Sequence, residues 1–209
     1  MEIEKVLKQY KENYCHIFEN IYPSKGSTGF TERNLSVNFA KAYESIHKDA
    51  ITWYEFQFGK KNNLHYDAII INPAQKEIVI VESKRFSNTE KKVKEVGEDV
   101  NRICEFQTTY FHEFTDRIPV LEEYSVVGVI LADVWTEGAE KLRLKQSFEN
   151  KTFLYDYQDK LLLSECSISW FIKGRYFCAN FADIKVPAVR EKNTIPTNYY
   201  LLGIIWDVT

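Results

Sequence analysis

Residues 78–86 read IVIVESKRF, and they describe a strand that enters the core and then ends in an acid and two bases. The β-branched run Ile78 to Val81 is typical of a strand buried on both faces. Side chains two apart on a strand point to the same face, so Glu82 and Lys84 end this strand side by side. One interpretation is a structural ion pair at the solvated rim. The other is a site where an acid and a lysine hold a metal and a phosphate.

A second acid lies in the preceding predicted strand, residues 64–72 (LHYDAIIIN). Asp67 stands beside an apolar run, and a carboxylate buried there is costly unless it is paired or binds a metal. If residues 64–72 and 77–83 form a hairpin, Asp67 and Glu82 come close and repel each other. A divalent cation relieves such repulsion, and Mg²⁺ needs only one or two carboxylates. We therefore expect Asp67 and Glu82 to be metal ligands.

Lys84 and Glu32 complete this candidate catalytic set. A lysine beside the metal would orient the attacking water and stabilise charge on a phosphate. Glu32 falls in the first turn of a helix predicted over residues 32–48, which Thr31 can cap. From there Glu32 would reach the metal directly or through water. An acid at a helix N-terminus is also explained by the helix dipole alone.

Further candidates surround this set. Arg85, Lys91 and Lys92 form a basic segment that would contact phosphates, although charged residues at a helix start are more often simply solvated. His65, two residues before Asp67, and Gln107, within an apolar helical stripe, are candidate accessory residues. Each also has a plainer interpretation as a hydrogen-bonded, partly buried side chain.

Hydrophobic periodicity predicts an α/β protein with a mixed central sheet flanked by helices. The predicted order is helix, helix, three strands, helix, strand, over residues 2–20, 32–48, 51–58, 64–72, 77–83, 89–114 and 125–133. A β-rich C-terminal extension of about 136–209 follows. It comprises a short helix at 138–149 and aromatic-rich strands near 153–157, 167–181 and 198–207.

Composition limits the class of protein. The chain has 209 residues, 44% hydrophobic and 27% charged, which predicts one globular domain over residues 1–209. Its net charge of −3 argues against a generally basic coat protein but not against a local basic cleft. The four cysteines lack zinc-ligand spacing, and no signal peptide or membrane helix is indicated. We expect a cytoplasmic protein that does not enter a membrane.

An acid in the helix before the sheet, an aspartate on the second strand and Glu-x-Lys on the third together resemble the PD-(D/E)XK nuclease superfamily. The resemblance covers roughly residues 31–133. It implies a restriction-endonuclease-like core at about 28–135, with Asp67 and Glu82 as ligands, Lys84 as the catalytic lysine and Glu32 as an accessory acid. Tyr66 stands where that pattern has a proline before the aspartate.

The same resemblance implies Mg²⁺-dependent hydrolysis of phosphodiester bonds, with Mn²⁺ as a substitute ion and DNA favoured over RNA as substrate. A homodimer is a candidate assembly. The alternative is a nucleic-acid-binding or scaffold protein that keeps the fold without turnover.

Overall fold

The computed structural model describes residues 2–20, 31–58, 64–106, 111, 114, 123–161, 173–184 and 198–208. The helices among these residues are α1 (Ile3–Asn20), α2 (Glu32–Ile46), α3 (Thr89–Cys104), α4 (Ala139–Glu149) and the short α5 (Phe153–Asp156). The strands are β1 (Ile51–Phe58), β2 (Leu64–Asn72), β3 (Glu77–Arg85), β4 (Ser125–Trp135), β5 (Arg175–Ala179) and β6 (Tyr199–Val208).

The described strands form one mixed sheet in the order β1-β2-β3-β4-β6-β5. β3 and β4 are parallel, and α3 lies in the connection between them. The other neighbouring pairs are antiparallel. The sheet therefore carries both hairpin-type and crossover connections, and the predicted α/β class with a mixed sheet is confirmed.

Helices cover both faces of this sheet. α1 and α2 pack on one face, against strand residues that include Val79, Val81 and Val129. α3, α4 and α5 pack on the other face, against residues that include Ile80 and Ile130. Because both faces are covered, β3 is apolar on both sides from Ile78 to Val81, and its residues 77–83 are all buried.

Two local features position α3 over the end of β3. The Asn88 side chain caps the helix by accepting a hydrogen bond from the Lys91 amide at 3.1 Å. Gly97 lets the helix approach the backbone at Leu161, because a Cβ at Gly97 would lie 2.3 Å from the Leu161 carbonyl oxygen. A side chain at residue 97 would push α3 away from its place.

Several predicted boundaries differ from the structure. The segment near 153–157 was predicted to be a strand, and this is wrong: Phe153–Asp156 form α5, with Phe153 packed in the core. Its aromatic run fits one helical turn against α4 as well as it fits a strand. α3 ends at Cys104 rather than continuing as one helix to 114, and part of 105–114 lies outside the described residues. Thr31 is the N-cap residue of α2, but its side chain makes no capping hydrogen bond.

The C-terminal part of the chain contributes to the same sheet. β6 pairs with β4 along ten residues, from Val126 opposite Val208 to Trp135 opposite Tyr199. β5 then pairs with the outer side of β6. Of the strand predicted at 167–181, residues 167–172 lie outside the described part of the chain. No helix within the described residues is long and apolar enough to cross a membrane.

Candidate functional site

β2 pairs regularly with β3 only from Ala68 onward, so Asp67 lies just outside the paired part of β2. The last paired residues are Ala68 and Val81, so Asp67 and Glu82 face each other just beyond the ladder. The Asp67 carboxylate replaces the missing ladder bond, because its Oδ2 accepts a hydrogen bond from the Ser83 amide at 2.7 Å. The end of the hairpin is thereby closed by a side chain that carries charge.

The alternation of side chains also changes at this point in both strands of the β1–β2 pair. Tyr54 and Ala68 are paired and belong to the core under α1 and α2. Phe56 and Tyr66 are also paired, yet they belong to the core under α3. The residues between these pairs are Glu55 and Asp67, and Glu55 has the left-handed φ of 51°. The distortion of the backbone therefore coincides with the candidate site.

Glu82 is the most enclosed acid of the site, with 2% of its surface exposed. Burial raises the pKa of Glu82 to about 8, and the charges of Asp99 and Asp67 add to this increase. Arg102 and Lys84 oppose it. Burial likewise raises the pKa of Asp67, while Lys84 and the Ser83 amide lower it. The two predicted ligands are thus a buried Glu82 and a partly buried Asp67, close enough to influence each other.

α3 brings Asp99 and Arg102 into this site, and neither residue is predicted from the sequence. Arg102 Nη2 contacts Glu82 Oε1 and lies 2.7 Å from Asp99 Oδ1. The guanidinium also lies 5.6 Å from the centre of the Tyr66 ring, and the Tyr66 hydroxyl donates to the Arg102 carbonyl oxygen. The available signal was the spacing of three between Asp99 and Arg102, with Asp99 directly beside Val100 of the core stripe.

Lys84 occupies the same cluster. Its Nζ lies 2.6 Å from Asp99 Oδ2, and only 13% of its side chain is exposed. Burial alone would lower the pKa of Lys84, but Asp99, Glu82 and Asp67 outweigh burial and raise it. Lys84 therefore stays protonated at neutral pH, as a fixed cation beside three acidic side chains.

Glu32 and the basic segment form the adjoining rim of this cluster. Glu32 Oε1 accepts a hydrogen bond from the Arg85 amide at 2.9 Å and lies 2.8 Å from Lys92 Nζ. Lys92 also contacts Glu95 at 2.8 Å, whereas Lys91 is exposed and lies 3.7 Å from that acid. Glu32 thus reaches the end of β3 at the residue after Lys84. Its part in metal binding stays a prediction.

The remaining candidates lie elsewhere. His65 is about half exposed, and its Nε2 is 3.2 Å from Glu55 Oε2. It contacts the acid opposite Asp67 rather than Asp67 itself. Gln107 lies outside the described residues.

The donor chemistry of the cluster fits a hard divalent cation. Among the described residues, no three histidine, cysteine, aspartate or glutamate side chains form a ready ligand group. Mg²⁺ takes one or two carboxylates and completes its shell with water and phosphate oxygens, which suits Asp67 and Glu82. The cluster holds three acids and two cations, so its net charge is −1 when all five side chains are ionised. They are Asp67, Glu82, Asp99, Lys84 and Arg102.

In comparisons with known proteins, no family model, no curated protein and no solved structure matches the chain.

Proposed function

We propose that this protein is a metal-dependent nuclease that hydrolyses phosphodiester bonds, with DNA favoured over RNA. The observation that carries the proposal is the meeting of the buried Glu82 with the partly buried Asp67 and Lys84 at the end of the β2–β3 hairpin. The order helix, three strands, helix, strand supports a restriction-endonuclease-like core as part of the same proposal. Lys84 is held by Asp99, and the rim beside it carries Arg85 and Lys92.

In this proposal Asp67 and Glu82 hold Mg²⁺ or Mn²⁺. The bound ion would polarise a phosphate oxygen and lower the pKa of a coordinated water. Lys84 is protonated, so it donates hydrogen bonds and stabilises the negative charge that develops on the phosphate. It does not act as a base. Asp99 keeps the Lys84 ammonium oriented toward the two ligand carboxylates, since it contacts that ammonium at 2.6 Å.

The second candidate is a nucleic-acid-binding protein without turnover. It is favoured by the mutual pairing of the polar groups: Arg102 bridges Glu82 and Asp99, and Lys84 pairs with Asp99. Such a set is also what a structural ion network looks like. The two candidates differ in one respect that can be measured, namely whether the carboxylates take a divalent ion and support cleavage.

The test is a cleavage assay of the purified protein on single-stranded DNA, duplex DNA, flapped DNA and RNA. Each substrate is incubated with Mg²⁺, with Mn²⁺ or with EDTA, and Glu82→Gln is carried through in parallel. We expect cleavage of at least one DNA form with either ion, and none with EDTA or in the variant. Binding of nucleic acid with no cleavage under any condition would favour the second candidate. Cleavage that survives in Glu82→Gln would contradict the site.

A further inference from the structure

Arg102 occupies an unusual position for a residue beside a proposed metal site. Its Nη2 atom touches both Glu82 and Asp99, so a cation already lies between two of the three clustered carboxylates. The guanidinium is more open to solvent than these acids, with 21% of the Arg102 side chain exposed against 3% for Glu82 and 6% for Asp99. It can therefore move outward from Glu82 without opening the core.

We infer that Arg102 is an exchangeable internal cation, which neutralises Glu82 in the metal-free protein and is displaced from it when the divalent ion binds. This inference rests on the proposed function, because it assumes the ion at Asp67 and Glu82. It adds Arg102 as a positioning residue that sets the affinity of the site for the ion.

The local charges support an exchange rather than simultaneous occupancy. A guanidinium and a divalent ion on one carboxylate repel each other strongly in a buried site. An ionised Glu82 cannot be left alone either, because an unpaired buried carboxylate is costly. One cation must therefore replace the other. Lys84 need not move, since its partner Asp99 also stays in place.

The released guanidinium has two remaining partners. Asp99 Oδ1 lies 2.7 Å from Nη2 and is not one of the proposed ligands. The Tyr66 ring, 5.6 Å away, stabilises a cation over its face. The ion therefore takes one of the contacts of Arg102 and leaves the others intact.

The test measures binding of Mg²⁺ without substrate, by isothermal titration calorimetry, for the parent and Arg102→Gln. Measurements are made at pH 9, because Arg102 holds down the pKa of Glu82 and its removal lets a proton compete more strongly at lower pH. We expect the variant to bind Mg²⁺ about tenfold more tightly or better, since the ion no longer displaces a cation. Arg143→Gln, an exposed arginine on α4, is the matched control and should bind like the parent.

The possible outcomes distinguish a failure of the cation exchange from a failure of the proposed metal site. Equal or weaker binding in Arg102→Gln, with clear binding in the parent, overturns the exchange and leaves the metal site standing. Absence of binding in both proteins removes the metal site and with it the proposed nuclease. Asp67→Asn lacks a proposed ligand, so the part of the calorimetric signal that disappears in this variant comes from Mg²⁺ binding at this site.

A second measurement uses only the parent protein, so it does not depend on whether the Arg102 variant folds. Side-chain nitrogen NMR of the parent, with arginine labelled, follows the guanidinium groups as Mg²⁺ is added. The Arg102 signal should shift in step with the calorimetric binding curve, as its contact with Glu82 is lost. An Arg102 signal that stays unchanged at saturation would show that the guanidinium never leaves Glu82.

Discussion

The two faces of the sheet carry different kinds of buried acid where the parallel strands β3 and β4 end. On the α3 face, Glu82 contacts the cationic Arg102 and lies near Lys84. On the face under α1 and α2, Asp133 accepts a hydrogen bond from the neutral Tyr199 hydroxyl at 3.1 Å. Both acids are 2% exposed. The difference lies in the chemistry around them, not in how deeply they are buried.

That difference separates a site suited to ions from an enclosed core. Burial raises the pKa of Asp133 to about 7, with Arg85 lowering and Glu32 raising it. A phenol partner tolerates the neutral carboxyl, and the phenols of Tyr10 and Tyr14 are buried on the same side. The Glu82 side instead holds cations that reach solvent, and such a site can exchange one cation for another. The proposed metal site is therefore the one formed by Asp67 and Glu82 on the α3 face.

The sharpest test of that assignment is Lys84→Ala. Loss of a fixed cation aimed at the phosphate should reduce cleavage by about 10²- to 10³-fold or more. The fold should persist, because Asp99 keeps Arg102 as a partner. The measurement is single-turnover cleavage together with a thermal melt, and Lys8→Ala on α1, whose side chain is 79% exposed, is the control. Loss of most thermal stability with little change in cleavage would instead make Lys84 a structural ion pair.

The next test adds magnesium to Asp67→Asn. The parent should gain about 2.7 kcal/mol in unfolding free energy when Mg²⁺ is 100-fold above its Kd, and the variant should gain nothing. Without metal, the variant should be as stable as the parent or slightly more so. Its side-chain oxygen can still accept the Ser83 amide, and the repulsion with Glu82 is gone.

Thermal melts of both proteins with and without Mg²⁺ measure this, with the exposed Asp49→Asn as control. A metal-free Asp67→Asn that melts far below the parent would mean that the Asp67 charge holds the fold, and the metal site would be lost.

For the face under α1 and α2, we expect Asp133→Asn to change how the unfolding free energy depends on pH. The pKa of Asp133 is raised from 3.8 to about 7. Between these values the unfolded chain has lost the proton while the folded protein keeps it, so the parent loses stability as pH rises from about 4 to 7. The Asn variant does not have this loss. Its stability relative to the parent should rise across that window, by about 3 kcal/mol.

Urea unfolding at pH 4, 5.5 and 7 measures the difference in unfolding free energy between Asp133→Asn and the parent. The control Asp183→Asn, at an exposed residue, should show the same pH dependence as the parent. A difference that is constant with pH would mean that Asp133 titrates alike in the folded and unfolded states, and the contrast between the two faces would weaken.

The smallest expected effect is that of Lys91→Ala. Lys91 is 75% exposed, so its removal should change the unfolding free energy by less than about 0.5 kcal/mol. If Lys91 contacts a phosphate, nucleic-acid affinity should weaken slightly and the slope of log affinity against log salt should fall by about 1. Fluorescence anisotropy across a salt series measures the slope. An unchanged slope would remove Lys91 from the interface and leave Lys92 and Arg85 as the basic rim.

The sequence could predict whatever depends on residues near each other along the chain. The β-branched run 78–81 predicted a buried strand, and the spacing of two put Glu82 and Lys84 on one face. The predicted bounds 51–58 and 64–72 are those of β1 and β2. Local periodicity failed where one pattern fits two structures, as in the aromatic turn of α5.

Asp99 and Arg102 could not be assigned to the site in the same way. Their spacing shows only that they share a helix face, and many exposed acid–arginine pairs share this spacing. Which face of α3 meets the end of β3 depends on the crossover to β4 and on the close approach at Gly97. Both involve residues distant in sequence.

The sequence by itself determined the α/β class, the polar end of β3 and the presence of acids in apolar surroundings, because backbone periodicity and the cost of burying charge act over a few residues. Only the tertiary structure decided that pairing ends at Asp67, that β6 lies between β4 and β5, and that Arg102 lies between Glu82 and Asp99. These depend on which side chains meet when distant segments pack, and contact between distant segments leaves no period in the chain.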